Sequence, residues 1–175
     1  LDEFFVTEVE RVELYRVPQH FTTARAHLAL EHRAEALRVL DLLDRFGREF
    51  NRPLDVGEAG VLKAALLWAY GKKAESCEAL SSALEALAPY GFVRIVADEG
   101  ASVEPVLKRL LKQVSAPEYD GPLKRSYVHE LLLAAHATAQ RHSGVTANIV
   151  PKKKPVKLSQ QQALVLELLA RSEER

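Results

Sequence analysis

The chain has no methionine, one cysteine and one tryptophan among its 175 residues. A lone thiol cannot close an internal disulfide, which excludes a bridged framework and fits a reducing, cytoplasmic setting. No apolar run approaches the roughly 18 residues that a membrane-crossing helix needs, and no signal-peptide pattern is present, so no membrane partner is expected. The lack of methionine even at position 1 leads us to expect an excised piece of a longer protein. Charge of one sign is also missing overall, because the formal net charge is zero. It is unevenly spread, however: residues 151–175 carry +3 and the first 150 carry −3. A slightly acidic body is a poor nucleic-acid binder on electrostatics alone. What is present is ordinary for a globular protein with a real core, at 47% hydrophobic and 27% charged residues.

Catalytic chemistry is equally scarce. No Gly-x-x-x-x-Gly-Lys-[Ser/Thr] phosphate loop occurs, and no Ser-His-Asp order or nucleophile elbow stands out. The six histidines are His20, His27, His32, His129, His136 and His142. His129 and His136 are seven apart, whereas a zinc site wants i, i+4 spacing or cysteine partners. We read them as packing or surface residues. Cys77 falls on an apolar stripe and reads as a small buried hydrophobe rather than a reactive thiol. No enzyme, metal site or cofactor is expected in these residues.

The feature that organises the chain is a repeat. Shifting the sequence by 40 positions puts Ala24 on Ala64, Ala29 on Ala69, Ala34 on Ala74, Glu35 on Glu75 and Leu40 on Leu80. Each copy has an Ala-rich helical run, a sharp polar break and a second helical run. Such a period marks stacked helical hairpins, none of which can bury its apolar face alone. The expected fold is all-α, an α-solenoid of stacked antiparallel helix pairs.

In chain order, Phe5, Val9 and Val12 form a helical stripe in residues 1–14, and Pro18 then interrupts. The first hairpin spans about 20–50, with Ala24, Leu28 and Ala29 on one helix and Leu37, Leu40 and Leu43 on the other. Small residues at the crossing let the backbones approach. Its break, Glu31-His32-Arg33, has no glycine, so ordinary residues must make the turn. Asp55 and Glu58 are spaced as an N-terminal cap for the next helix. Gly71 should close that helix in a left-handed cap. The partner helix carries Cys77, Leu80, Leu84 and Leu87.

Residues 91–100 contain a β-branched run, which we read as an extended or one-turn connector plugging the end of the hairpin. Ser102 is placed to cap a further helix with Val106, Leu107, Leu110 and Leu111 inward. Gly121-Pro122 should start a long one carrying Leu123, Tyr127, Leu131 and Ala135. The stretch 143–157, with Pro151-Lys152-Lys153-Lys154-Pro155, has the composition of a linker. It could instead contact phosphate or serve as a nuclear-localisation patch; an extended tether is the plainer reading. Residues 158–175 open with Leu158-Ser159-x-x-Gln162, a capping box ahead of Leu164, Val165, Leu168 and Leu169.

Two stretches carry a family resemblance. Ala64-x-x-x-x-Ala69-x-Gly71, then Ala83-Leu84-x-Ala86-Leu87-Ala88-x-x-Gly91-Phe92-Val93-Arg94 and Asp98-Glu99-Gly100, resemble the tetratricopeptide-like superhelical domain of MalT-type LuxR-family transcription activators. Leu158-Ser159, with Val165-Leu166-x-Leu168-Leu169-Ala170, is similar to the opening helix of the LuxR-type helix-turn-helix domain. The family's usual Arg-Glu pair is Gln161-Gln162 here, and Leu164 replaces an acidic residue. The domain expectation is therefore a superhelical sensor/interaction domain at 1–142, a linker at 143–157 and the start of a helix-turn-helix domain at 158–175.

The resemblance implies the effector-sensing and protein-interaction module of a nucleotide-switched, MalT-like transcription regulator. Its partners would be a small-molecule inducer or a regulatory protein. Self-association would belong to the full-length protein, and DNA contact only to the missing remainder of the C-terminal domain. A rival reading is a tetratricopeptide-like scaffold for a peptide or partner protein. Aligned on the family's repeat positions, Phe21, Arg25, Leu28, Val61 and Trp68 fall toward the inner groove. An aromatic with a nearby Arg suits sugar or peptide recognition, while Trp68 could equally pack between helices.

Overall fold

The computed structural model describes residues 12–141. Seven α-helices follow one another there, with no strand among the described residues: α1 Val17–Ala29, α2 Arg33–Glu49, α3 Pro53–Ala69, α4 Lys73–Leu87, α5 Arg94–Ala97, α6 Glu104–Val114 and α7 Arg125–Arg141. Consecutive helices pack against each other from α1 through α4, and α6 then packs on α4 and α7 on α6. This is the expected solenoid of antiparallel pairs. Residues 1–11 of the expected 1–14 stripe, the linker and the terminal helix lie outside the described residues, while Val12 packs against the first core ahead of a 3₁₀ turn at Leu14–Arg16.

The reason the chain folds this way is clearest at its turns. Glu31, Asn51, Gly71 and Gly91 all have positive φ, at 60°, 50°, 77° and 64°. They are spaced by 20 residues, half the sequence repeat, so each helix with its turn is one unit. Three of these turns share one hydrogen-bond pattern. The amide of His32 donates to the His27 carbonyl (2.9 Å), Arg52 to Gly47 (2.7 Å) and Lys72 to Leu67 (3.0 Å). The amides of Glu31, Asn51 and Gly71 donate to Leu28, Arg48 and Trp68. Together these bonds make a Schellman cap, which satisfies carbonyls that a helix end leaves open. The glycine-free first turn thus adopts the same geometry as Gly71, at the cost of holding Glu31 in the left-handed region.

Packing explains which repeat matches matter. Ala24, Ala64, Leu40 and Leu80 are all fully buried. At the helix crossing Ala36 in one pair corresponds to Ser76 in the next, and the Ser76 hydroxyl donates to the Ala64 carbonyl at 2.7 Å. The matched Ala34, Ala74, Glu35 and Glu75 are exposed, and so is Ala29. Two cores result. One joins α1, α2 and the α3 residues Ala59, Leu62 and Leu66. The other joins α4, α6 and α7 with Val61 and Ala64 of α3. Helix α3 is apolar on nearly every side because both cores claim it. Gly57 and Gly60 let α4 come close: a Cβ at Gly57 would sit 2.3 Å from Leu87 Cδ2.

Several boundaries differ from expectation. Pro18 does not interrupt; it lies in the first turn of α1, where its missing N–H costs nothing. Asp55 is not the N-cap of α3, because the helix already begins at Pro53 with Arg52 as cap residue, and Asp55 pairs with Arg52 from inside the first turn. Ser102 closes a 3₁₀ turn at Gly100–Ser102, and α6 starts after Val103 with Pro105 in its first turn. Helix α7 starts at Arg125 rather than at Gly121-Pro122, although Leu123 is buried as expected. The 91–100 connector is one helical turn, with Val96 fully buried in the second core.

Candidate functional site

Ala24 faces the first core and is fully buried, so Arg25, 100° further around α1, emerges at the core's edge with 38% of its side chain exposed. Glu58 stands on α3 between the buried Gly57 and Ala59. Glu99 follows α5, held by a turn in which Gly100 has φ 46° and lies against the backbone of Ala139. Arg25 spans both carboxylates, with Nη1 2.8 Å from Glu58 Oε1 and Nη2 3.0 Å from Glu99 Oε1. One guanidinium therefore ties the first hairpin to the second and to the connector beyond it.

These three residues line an open trough of about 630 Å³, together with Leu54, Asp98 and Gly91–Ile95. The walls between them are apolar, and the charge sits in two groups, the Arg25–Glu58–Glu99 cluster and the exposed Arg94 and Asp98, 3.9 Å apart. On the rim, Tyr90 and Phe92 stack with ring centroids 5.6 Å apart. The Tyr127 hydroxyl of α7 donates to the Phe92 carbonyl at 2.8 Å, which anchors the rim to the last helix. Burial, with the field of Glu130 behind it, pushes the Tyr127 phenol up to about 12, so it stays a donor.

Electrostatics at the cluster are asymmetric. The Glu99 side chain is only 7% exposed, and burial pushes its carboxyl above the ordinary value even though Arg25 pulls the other way. Burial opposes the charged form of Arg25, but the Glu58 hydrogen bond and the nearby Glu99 outweigh it and raise its pKa. Glu58, at 22% exposure, is the more accessible partner. Within this cluster, a ligand in the trough meets Glu58 and the outer edge of Arg25 before it meets Glu99.

Among the residues expected to face a groove, Arg25 alone lines this trough. Phe21 and Leu28 are 4% and 3% exposed in the first core, and Val61 is 1% exposed in the second, so these three present almost no surface. The reason is geometric: α1 and α3 turn their apolar stripes inward between the pairs, leaving only the flanking positions for the surface. Trp68 is half-buried against the second core, with Lys73 Nζ 5.5 Å from its ring centre. It lies ten residues from Glu58, about 15 Å along the helix, and is not part of the trough. The residues that sequence reasoning missed are Leu54, Glu58 and the 91–99 rim. Glu58 looked like half of a capping box, and the rim like a plug.

A family model described as the MalT-like TPR region matches residues 5–113. The chain belongs to that family. As a MalT-like TPR region it is a helical-repeat domain of the protein-interaction or sensing kind, with the matched span ending inside α6. Helix α7, whose Tyr127 braces the trough rim, lies beyond that span. Neither a curated protein nor a solved structure matches the chain. No group of His, Cys, Asp or Glu among the described residues is arranged to hold a metal ion. No helix among them is long and apolar enough to cross a membrane.

Proposed function

We propose that this MalT-like TPR region is the effector-sensing and protein-interaction module of a LuxR-family, nucleotide-switched transcription regulator, and that it has no catalytic role. The supporting observation is the placement of the Arg25–Glu58–Glu99 cluster: it lines an apolar trough and is made by three segments of the repeat stack. An effector that engages Glu58 or Arg25 changes the ion pairing between the two hairpins. The repeat stack then favours the arrangement in which that engagement is best, a shift of population between two packings. The flanking nucleotide-binding and DNA-binding domains read out the shift in a cytoplasmic, full-length regulator that self-associates.

A thermal-melting screen of the chain tests this. Sugars, small metabolites and peptides are added one at a time, and a ligand at about 100 times its Kd stabilises the folded state by about 2.7 kcal/mol. Arg25→Met, compared with its own ligand-free baseline, should abolish the response. A response to peptides only would favour the scaffold reading, and a response that survives Arg25→Met would place recognition away from the trough.

A further inference from the structure

A second cavity, of about 330 Å³, lies between the end of α4 and the segment that leads into α7. It shares no lining residue with the trough. Pro89, from the 3₁₀ turn Ala88–Tyr90, supplies part of its wall, and Pro122, Leu123 and Tyr127 supply most of the rest. The volume falls at the small end of the range for small-molecule sites. These walls are built before any ligand arrives. Leu123 is buried in the second core, and its amide donates to the Tyr119 hydroxyl at 3.2 Å. Gly121 permits that fold, because a Cβ there would stand 2.4 Å from the same hydroxyl. The proline rings add fixed φ angles. A wall that is already rigid loses little freedom on binding.

Two charges of opposite sign stand at this apolar surface. Glu85 is exposed near the end of α4, and its carboxylate accepts from the Ser81 hydroxyl at 3.3 Å. Lys124 is exposed immediately before α7. Among the described residues neither side chain is ion-paired. The complementary ligand is a small zwitterion with an apolar body. It brings an ammonium for Glu85, a carboxylate for Lys124 and a flat ring for the Tyr127 and proline walls.

We propose that this cavity is a site for a free aromatic amino acid, separate from the trough. Tyr127 connects the two places: its ring lines the cavity while its hydroxyl donates to the Phe92 carbonyl at 2.8 Å. A ligand that fixes the ring favours the state in which that bond is made. The trough rim is then held by a molecule that never enters the trough. Occupancy of the cavity does not depend on what the trough binds.

The experiment is an amide NMR titration of the 175-residue chain with L-phenylalanine. Saturable shifts should centre on the amides of Ala88, Leu123, Lys124 and Tyr127. They should extend to the Val93 amide, whose peptide bond contains the Phe92 carbonyl. Lys124→Ser and Glu85→Gln, both at exposed positions, should each weaken binding about two- to fivefold, the range of a single exposed ion pair. N-acetyl-phenylalanine amide, which lacks both charges, should bind more weakly than phenylalanine and ignore both substitutions. In Tyr127→Phe, at concentrations that saturate that variant, the Val93 shift should vanish. No saturable shift at the cavity amides, or shifts centred on the trough, overturn the proposal. Equal binding of the blocked compound would assign the cavity to an aromatic residue within a peptide and overturn it too. A Val93 shift that persists in Tyr127→Phe refutes the link to the rim. Arg25 lines the trough and not this cavity, so Arg25→Met should leave these shifts in place, and the two sites can fail separately.

Discussion

Glu31 occupies the position that Gly71 occupies one repeat later, and the difference between them can be measured. Both end a helix in the left-handed region, with φ of 60° and 77° and the same pair of cap hydrogen bonds. Holding an L-residue there costs about 1–2 kcal/mol, and glycine gives back about 0.4–1 kcal/mol through its freer unfolded chain. Glu31→Gly should therefore stabilise the protein by about 0.5–1 kcal/mol. Gly71→Ala should destabilise it by a similar amount, for conformational reasons alone, since a Cβ there meets nothing within 4 Å. The described body is 130 residues, for which the unfolding entropy is about 0.27 kcal/mol/K, or about 4 °C per kcal/mol. Calorimetric melting should show Glu31→Gly about 2–4 °C above the natural chain and Gly71→Ala about 2–4 °C below it. If Glu31→Gly melts lower, the equivalence of the three capped turns at Glu31, Asn51 and Gly71 is refuted.

Gly57→Ala should cost about 1–3 kcal/mol, because its Cβ would drive into the fully buried Leu87 at 2.3 Å; urea unfolding with no loss of midpoint would refute the close α3–α4 approach. His20 is 1% exposed with neither ring nitrogen hydrogen-bonded, and burial first, then Arg16, depress its pKa below 6.5, with Glu13 opposing. A lowered histidine pKa means that the folded state binds fewer protons, so stability holds above pH 6.5 and falls as the pH drops through it. His27 shifts the same way and Glu99 the opposite way, the latter stabilising toward acid. Urea midpoints compared between pH 7.5 and 5.5 should fall in the natural chain and fall less in His20→Leu; equal drops would remove His20 from this role.

How much of this was legible in the sequence follows from what each residue type signals. The 40-residue period was visible because Ala64 and Leu80 repeat Ala24 and Leu40, and all four are core contacts whose size the packing fixes. The 20-residue half-period was hidden, because Glu31 and Asn51 perform a turn that only Gly71 and Gly91 advertise. Helix starts were misread at Asp55 and Ser102, since a capping pattern records a local option and the prolines at 53 and 105 took precedence. The expected groove residues came from the family's repeat positions, and Phe21, Leu28 and Val61 among them lie on the apolar stripe, which is what a solenoid hides. Arg25, also placed by those positions, reaches the trough because it flanks the buried Ala24; Glu99 could not be found that way, because its neighbour in space is 74 residues away in sequence.

Helix α3 belongs to both cores, like a shared wall between two rooms. Neither hairpin can melt while the other stands without tearing that wall, so heating should take down the described body in one cooperative step. On the proposed function, a ligand engaging Glu58 of α3 would likewise be felt on both sides of the wall at once.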